Sequence, residues 1–193
     1  AGGGRTAVAD PVAALPPLQA LRRSACLPPG DFRLAMRRLA GAVCIVATTD
    51  GQRPTGLTAT AVTSLSAEPA RLLTCINLKG STFRSITDSR RMSVNLLTTH
   101  HTDLATRFGG AGPAGASELF EPTLWDTLAT GAPILREALV AFDCVVDEMM
   151  VAHSHAVMIG EIKAVQMHPG GHAPLLYADG RYTTLHPHGD PTP

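Results

Sequence analysis

Residues 57–66 read Leu-Thr-Ala-Thr-Ala-Val-Thr-Ser-Leu-Ser. Thr58, Thr60, Thr63, Ser64 and Ser66 bring five hydroxyls into ten residues, interleaved with Ala59 and Ala61. Small side chains let a flat ligand come close to the backbone, where hydroxyls and amides can bond a phosphate or the edge of a polar ring. The same run also reads as a threonine-rich strand whose hydroxyls meet water. A second candidate is Cys75-Ile76-Asn77-Leu78-Lys79-Gly80-Ser81-Thr82, a strand end running into a helix start. Helix-terminal amides and a lysine charge favour an anion there. It is not a Walker loop, because the Gly-Lys-Ser/Thr order is missing. Gly80 and Ser81 serving only as turn and N-cap is the competing reading.

Histidines form two sequence clusters, His100-His101 and His153-Ser154-His155. Alternate residues of a strand share a face, so His153 and His155 could chelate a metal. Only Asp143, Asp147 and Glu148 lie near in sequence as further ligands, so non-metal roles are favoured and no metal is expected. His155 reads better as a donor facing a ligand ring. Gly110-Ala111-Gly112-Pro113-Ala114-Gly115 satisfies G-x-G-x-x-G, but a helix precedes it and Pro113 removes a donor, so a surface loop is expected. There is no G-x-S-x-G elbow, and nothing pairs Cys75 or Cys144 with a histidine as a nucleophile.

The elements that must position these groups follow from the apolar period. Residues 1–30 carry Gly2-Gly3-Gly4, Pro11, Pro16-Pro17 and Pro28-Pro29, and read as an N-terminal arm, with one helical turn around Leu18–Arg22. Asp31 is expected to cap a helix that buries Phe32, Ala35, Met36 and Leu39 and ends at Gly41. Strands are expected over 42–49, 57–66, 71–77, 92–97, 138–151, 156–166, 175–178 and 181–185. Short helices are expected over 80–89 and 102–108. Asp50-Gly51 and Asp179-Gly180 mark hairpins. Many strands with few short helices, and no regular strand–helix alternation, argue for a mainly β barrel or sandwich with peripheral helices.

Composition excludes several classes. The chain has 193 residues, enough for one domain of about 31–187 between the arm and a short tail at 188–193. Sixteen basic residues balance sixteen acidic ones, and lysine occurs only at 79 and 163, so no nucleic-acid surface is expected. No apolar run reaches the length of a membrane helix. Asp10, Pro11, Pro16 and Pro17 interrupt any signal-peptide core. Unpaired cysteines in apolar strands fit a reducing, cytoplasmic setting.

In order along residues 31–185, the motifs resemble the short-chain flavin reductases, the reductase components of two-component flavin-dependent monooxygenases. The resemblance rests on Gly56-Leu57-Thr58-Ala59-Thr60-Ala61-Val62-Thr63-Ser64-Leu65-Ser66 with Pro69, and on Leu73–Asn77. Phe32–Val43, Met92–Leu97, Leu104-Ala105 with Phe108, Phe120 with Trp125, and Gly131-Ala132-Pro133 continue it. Ala141–Cys144, Ser154-His155 and Pro174–Tyr177 with Tyr182 complete it. It implies an FMN-binding split β-barrel that forms a homodimer and reduces FMN or FAD with NADH or NADPH. NADH is the more expected donor. It further implies diffusible reduced flavin passed to a partner monooxygenase. Carried over residue by residue, Thr58, Ala59, Thr60, Ala61 and Ser64 would line the flavin ring and ribityl chain. Cys75, Asn77, Lys79, Ser81 and Thr82 would contact ribityl and phosphate, and His155 would lie at the nicotinamide. Two other classes remain: a non-catalytic flavin- or haem-binding barrel, and a metal protein built on the histidines.

Overall fold

The computed structural model describes residues 27–110 and 119–185. The expected arm up to residue 26, the tail from 188 and most of the G-x-G-x-x-G run lie outside the described residues. The chain divides into two units between Met36 and Arg37. The first contains the helix α1 (Pro29–Met36), with Asp31 in its first turn rather than at its cap. No residue of α1 is buried, against the expectation for Phe32, Ala35 and Met36, and Leu39 beyond it is also exposed. Helical period decides which side chains share a face and not whether that face is covered.

The second unit is built on β strands. A seven-stranded antiparallel sheet has the order β3-β2-β6-β9-β10-β5-β4. Its members are β2 (Cys44–Thr49), β3 (Pro54–Ala59), β4 (Val62–Ala67), β5 (Ala70–Asn77), β6 (Arg91–Leu96), β9 (Val140–Ala152) and β10 (His155–Met167). A small sheet joins β1 (Gly41–Ala42), β11 (Leu176–Ala178) and β12 (Arg181–Thr183), and β7 (Trp125–Thr127) pairs with β8 (Pro133–Leu135). Gly41 therefore opens a strand instead of ending a helix. Helices α2 (Ser81–Ser89) and α3 (Thr102–Phe108) match their expected ranges. The strands expected over 42–49, 71–77, 92–97, 138–151 and 156–166 also form, with ends shifted by a residue or two.

The expected strand over 57–66 is broken in two. β3 and β4 are the opposite edges of the large sheet, yet only Thr60 and Ala61 separate them. Seven strands laid flat would put those edges about 29 Å apart, at about 4.8 Å per step. Three Cα–Cα steps reach only about 11 Å. The sheet must therefore curl until its two edges meet at Thr60–Ala61. No ladder joins β3 to β4, so the curl is not closed by strand pairing; Cys75 N–H on β5 donates to the Ala61 carbonyl at 3.1 Å.

Two apolar clusters lie on the two faces of β2. Ile45 and Ala47 pack with Leu104, Phe108, Phe120, Trp125 and Leu135 on one side. Cys44 and Val46 pack with Ile76, Ile86, Met92, Val94 and Met158 on the other. A strand buried on both faces needs an unbroken apolar run, which is what residues 43–47 supply. Gly160 on β10 faces the second cluster, where a Cβ would sit 2.6 Å from Met92 Cε and 3.0 Å from Cys144 Cβ.

A short 3-10 turn, Thr99–His101, leads into α3. Thr98 N–H donates to His101 Nδ1 at 3.2 Å, which requires that nitrogen to be unprotonated. Burial holds the His101 pKa below the ordinary histidine range; Glu137 opposes this, and His100 and His172 add to it. In the unfolded chain the ring takes a proton near pH ~6.5. Between the folded value and that one the unfolded state binds more protons, so His101 costs stability as pH falls. His101→Asn is expected to shrink the drop in melting temperature between pH 7.5 and pH 5. An unchanged drop would remove His101 as the group responsible.

Candidate active site

Three separate segments meet where the curled sheet comes together. Leu57, Thr58, Ala59, Thr60 and Ala61 supply one wall, Cys75 and Asn77 from β5 another, and His155 from β10 a third. With Phe108 and Gly109 at the end of α3 they enclose a cleft of about 280 Å³. The β-ladder explains the meeting, since His155 lies opposite Asn77 in the pairing of β10 with β5. Thr60 and Ala61 belong to neither ladder, and of their peptide groups the Ala61 carbonyl is taken by the Cys75 N–H.

The polar groups are already partly committed. Thr58 Oγ1 donates to the Ala105 carbonyl at 2.6 Å, so it ties β3 to α3 and offers the cleft only lone pairs. Asn77 Oδ1 accepts the Lys79 N–H at 2.9 Å, which leaves Nδ2 as the outward donor. His155 Nδ1 lies 2.9 Å from Ser154 Oγ, and Nε2 has no hydrogen-bond partner among the described residues. Ser154 also accepts the Leu78 N–H on its carbonyl, at 3.1 Å, which joins the β9–β10 turn to the start of the α2 approach.

Two residues beyond Asn77, Lys79 is exposed and Gly80 caps α2 in an extended conformation. No side chain caps that helix, and its first turn has no acidic residue. Lysine charge and unsatisfied amides together suit a phosphate. The remaining carried-over residues are placed differently. Thr82 is buried and its hydroxyl lies 3.0 Å from that of Thr55; Ser81 Oγ lies 3.2 Å from the same Thr55 oxygen. Ser64 lines a different, apolar pocket with Phe142 and Ile162. Thr63 and Ser66 line that pocket too.

Phe108, Gly109 and Thr55 were given no role by the sequence. Phe108 reaches the cleft because Gly56 leaves room for it: a Cβ at Gly56 would lie 3.0 Å from Phe108 Cε1. Phe108 then stacks edge-on with Phe120 at 5.2 Å and contacts Trp125 at 5.9 Å. A glycine in a strand is the one sequence signal that pointed to this close approach. Among the described residues, no three histidine, cysteine or acidic side chains gather as a metal site, and the histidines at 153 and 155 part company because His153 takes a left-handed turn conformation.

The cysteines differ sharply. Burial pushes the Cys44 thiol up to about 12, and burial with Asp143 beside it does the same for Cys144. Cys75 is half-buried on the cleft wall. Alkylation with iodoacetamide at pH 8, mapped by mass spectrometry, is expected to mark Cys75 and spare Cys44 and Cys144. Equal labelling of Cys44 and Cys75 would contradict these environments.

The sequence matches the family described as flavin reductase like domain over residues 36–186. The chain belongs to that family. It is 39% identical over 155 residues to the FMN reductase (NADH) RutF of Agrobacterium fabrum, covering 80% of this chain and 87% of that protein. The crystal structure of the ycdh protein of Haemophilus somnus 129pt superposes with a TM-score of 0.77 at 33% identity, covering 82% of this chain and all of that one, 100%. A homologue of nitrilotriacetate monooxygenase component B from Mycobacterium thermoresistibile gives 0.76 at 25% identity, covering 85% of this chain and 90% of that one. No helix among the described residues is long and apolar enough to cross a membrane.

Proposed function

We infer that this protein is an NADH-dependent flavin reductase acting on FMN. The observation that carries the reading is the convergence of Thr58, Ala59, Thr60, Ala61, Cys75, Asn77 and His155 on one cleft in a chain of the flavin reductase-like family. The cleft fits a flavin on its own terms. Ala59 and Ala61 leave the wall low, Asn77 and Thr60 offer polar groups, and an uncapped helix start with a lysine lies beside it.

A flavin bound here would supply the hydride acceptor for NADH, chemistry that no side chain can perform. The task of the chain is to orient and to shield. Thr58–Ala61 and Cys75 would hold the ring system, with Ala59 and Ala61 keeping the approach open. Asn77 Nδ2 would donate to the ribityl chain, and Lys79 with the first amides of α2 would neutralise the phosphate. Ser81 and Thr82 would support the α2 start through Thr55, and Ser64, which lines another pocket, is left out of the flavin contact. His155 would stand at the open side, its Nε2 free to bond the nicotinamide carboxamide.

Homodimerisation, a split barrel around the curled sheet, and release of reduced flavin to a monooxygenase belong to the same reading. So do a catalytic body of residues 31–187 and a reducing, cytoplasmic setting. These are supported by the family, by the relative described as a monooxygenase component homologue, and by the unpaired cysteines.

The direct test is NADH absorbance with and without FMN. Rapid loss that needs both protein and FMN is the expected result. A yellow protein that spares NADH would indicate a binding module instead. His155→Ala is expected to raise the apparent KM for NADH about two- to twelvefold, with kcat and FMN affinity nearly unchanged, because one neutral hydrogen bond of uniform binding is lost. A hundredfold fall in the limiting rate of flavin reduction, with NADH affinity intact, would give His155 a part in the chemistry.

A further inference from the structure

The cleft does not end at Thr60. On the other side of the same β3 end lies a second compartment of about 240 Å³, lined by Val43, Thr58, Ala59, Thr60, Gly109, Tyr177 and Tyr182. Four of these residues, Thr58, Ala59, Thr60 and Gly109, also line the first compartment. The two spaces are thus lobes of one site. What the second lobe adds is aromatic. Tyr177 and Tyr182 are cross-strand partners on β11 and β12, with ring centroids 5.5 Å apart and planes at 69°.

The two rings are not equivalent. Tyr182 packs against the apolar cluster that holds Phe108 and Trp125, so it is anchored. Tyr177 is 39% exposed, and neither hydroxyl has a hydrogen-bond partner among the described residues. The hairpin that presents them is fixed at its tip, where the Asp179 N–H donates to the Arg37 carbonyl at 2.6 Å. Its β11 strand is held as well, where Tyr177 and Leu176 pair with Gly41 and Ala42 of β1. An exposed aromatic on a fixed hairpin, facing small residues across a gap, is suited to receive a flat ring.

The order of groups along the site says which part of a ligand arrives there. Lys79 follows Asn77 by two residues, bonded to its side chain, and leads into α2; Asn77 and Cys75 line the first lobe, and the tyrosines line the second. A phosphate held at Lys79 leaves the ring end of the molecule toward Thr58–Thr60 and the lobe beyond. We propose that Tyr177, backed by Tyr182, forms an aromatic slot that stacks a planar heteroaromatic ring at the end of the site remote from the phosphate. This rests on the flavin reductase reading. The ring comes either from the flavin itself or from a base of the pyridine nucleotide, and both present a flat face that a tyrosine ring can cover.

The test uses the full chain with Tyr177→Ala, Tyr177→Leu and Tyr177→Phe, measuring FMN affinity by titration and the apparent KM for NADH by steady state. Loss of a stacking partner is expected to weaken one ligand roughly tenfold, while phenylalanine keeps it within about twofold. A weaker FMN assigns the ring to the flavin, and a raised KM for NADH with FMN unchanged assigns it to the nucleotide. Leucine fills the same space without a π face, so it reads the stacking even where alanine disturbs the hairpin. If alanine and leucine leave both ligands within twofold, or phenylalanine is as harmful as alanine, the slot is refuted. Failure of the underlying reading looks different, because the wild-type protein would then bind no FMN and spare NADH.

Discussion

Asn95→Ala is expected to lower stability by about 3 kcal/mol and the melting temperature by about 6–12 °C. Asn95 is fully buried on β6 and spans three elements. Its Nδ2 donates to the Ile45 carbonyl of β2 at 3.1 Å and to Ser93 Oγ at 2.9 Å, while its Oδ1 accepts the Leu135 N–H of β8 at 2.8 Å. Alanine would leave the Leu135 N–H and the Ile45 carbonyl without that partner where no bulk water reaches. Each such orphan costs about 1–3 kcal/mol, against a total stability of about 5–15 kcal/mol for a domain. Thermal melting followed by circular dichroism reads the effect directly. A shift under 2 °C would show that water or a rearranged Ser93 takes over the bonds.

Lys79→Ala is expected to weaken FMN about tenfold and leave riboflavin, which has no phosphate, unchanged. A charge-assisted hydrogen bond is worth about 1.5–3 kcal/mol, and the exposure of Lys79 places the effect at the lower end of that span. Rising salt should narrow the difference between mutant and wild type for FMN, since an exposed charge is screened. Titrating both flavins separates the phosphate contribution from the ring contribution. Equal weakening of FMN and riboflavin would mean that the substitution disturbs the cleft wall through Asn77, whose side chain accepts the Lys79 amide. An unchanged FMN affinity would place the phosphate elsewhere.

Much of this site was legible in the residues because its parts are local. Thr58–Ala61, Cys75–Asn77 and Ser154–His155 are short runs, and pairing of β5 with β10 brings the last two together. What the sequence could not carry was the break at Thr60–Ala61. A ten-residue run of hydroxyl, alanine and valine reads as one strand, since no glycine or proline interrupts it. Only the sheet order shows that its halves pair with different neighbours. That break also explains Ser64, which continues along β4 into a different pocket instead of following Thr58 and Thr60. The helix near residue 31 forms, but the burial expected of it does not. Its apolar spacing was real, and burial was assumed from it.

The two residues between β3 and β4 are both the tether that keeps the sheet curled and a wall of the site. In mechanical terms they act as a seam. A ligand gripping Thr60 and Ala61 from the cleft side loads the seam in closure, so it should slow opening at both edges of the sheet together. Amide exchange at β3 and β4 would then fall in step on ligand binding, although six strand spacings separate the two along the hydrogen-bonded ladder. An inserted residue at the seam would slacken that link without touching the apolar clusters, uncoupling the two edges while the sheet itself survived.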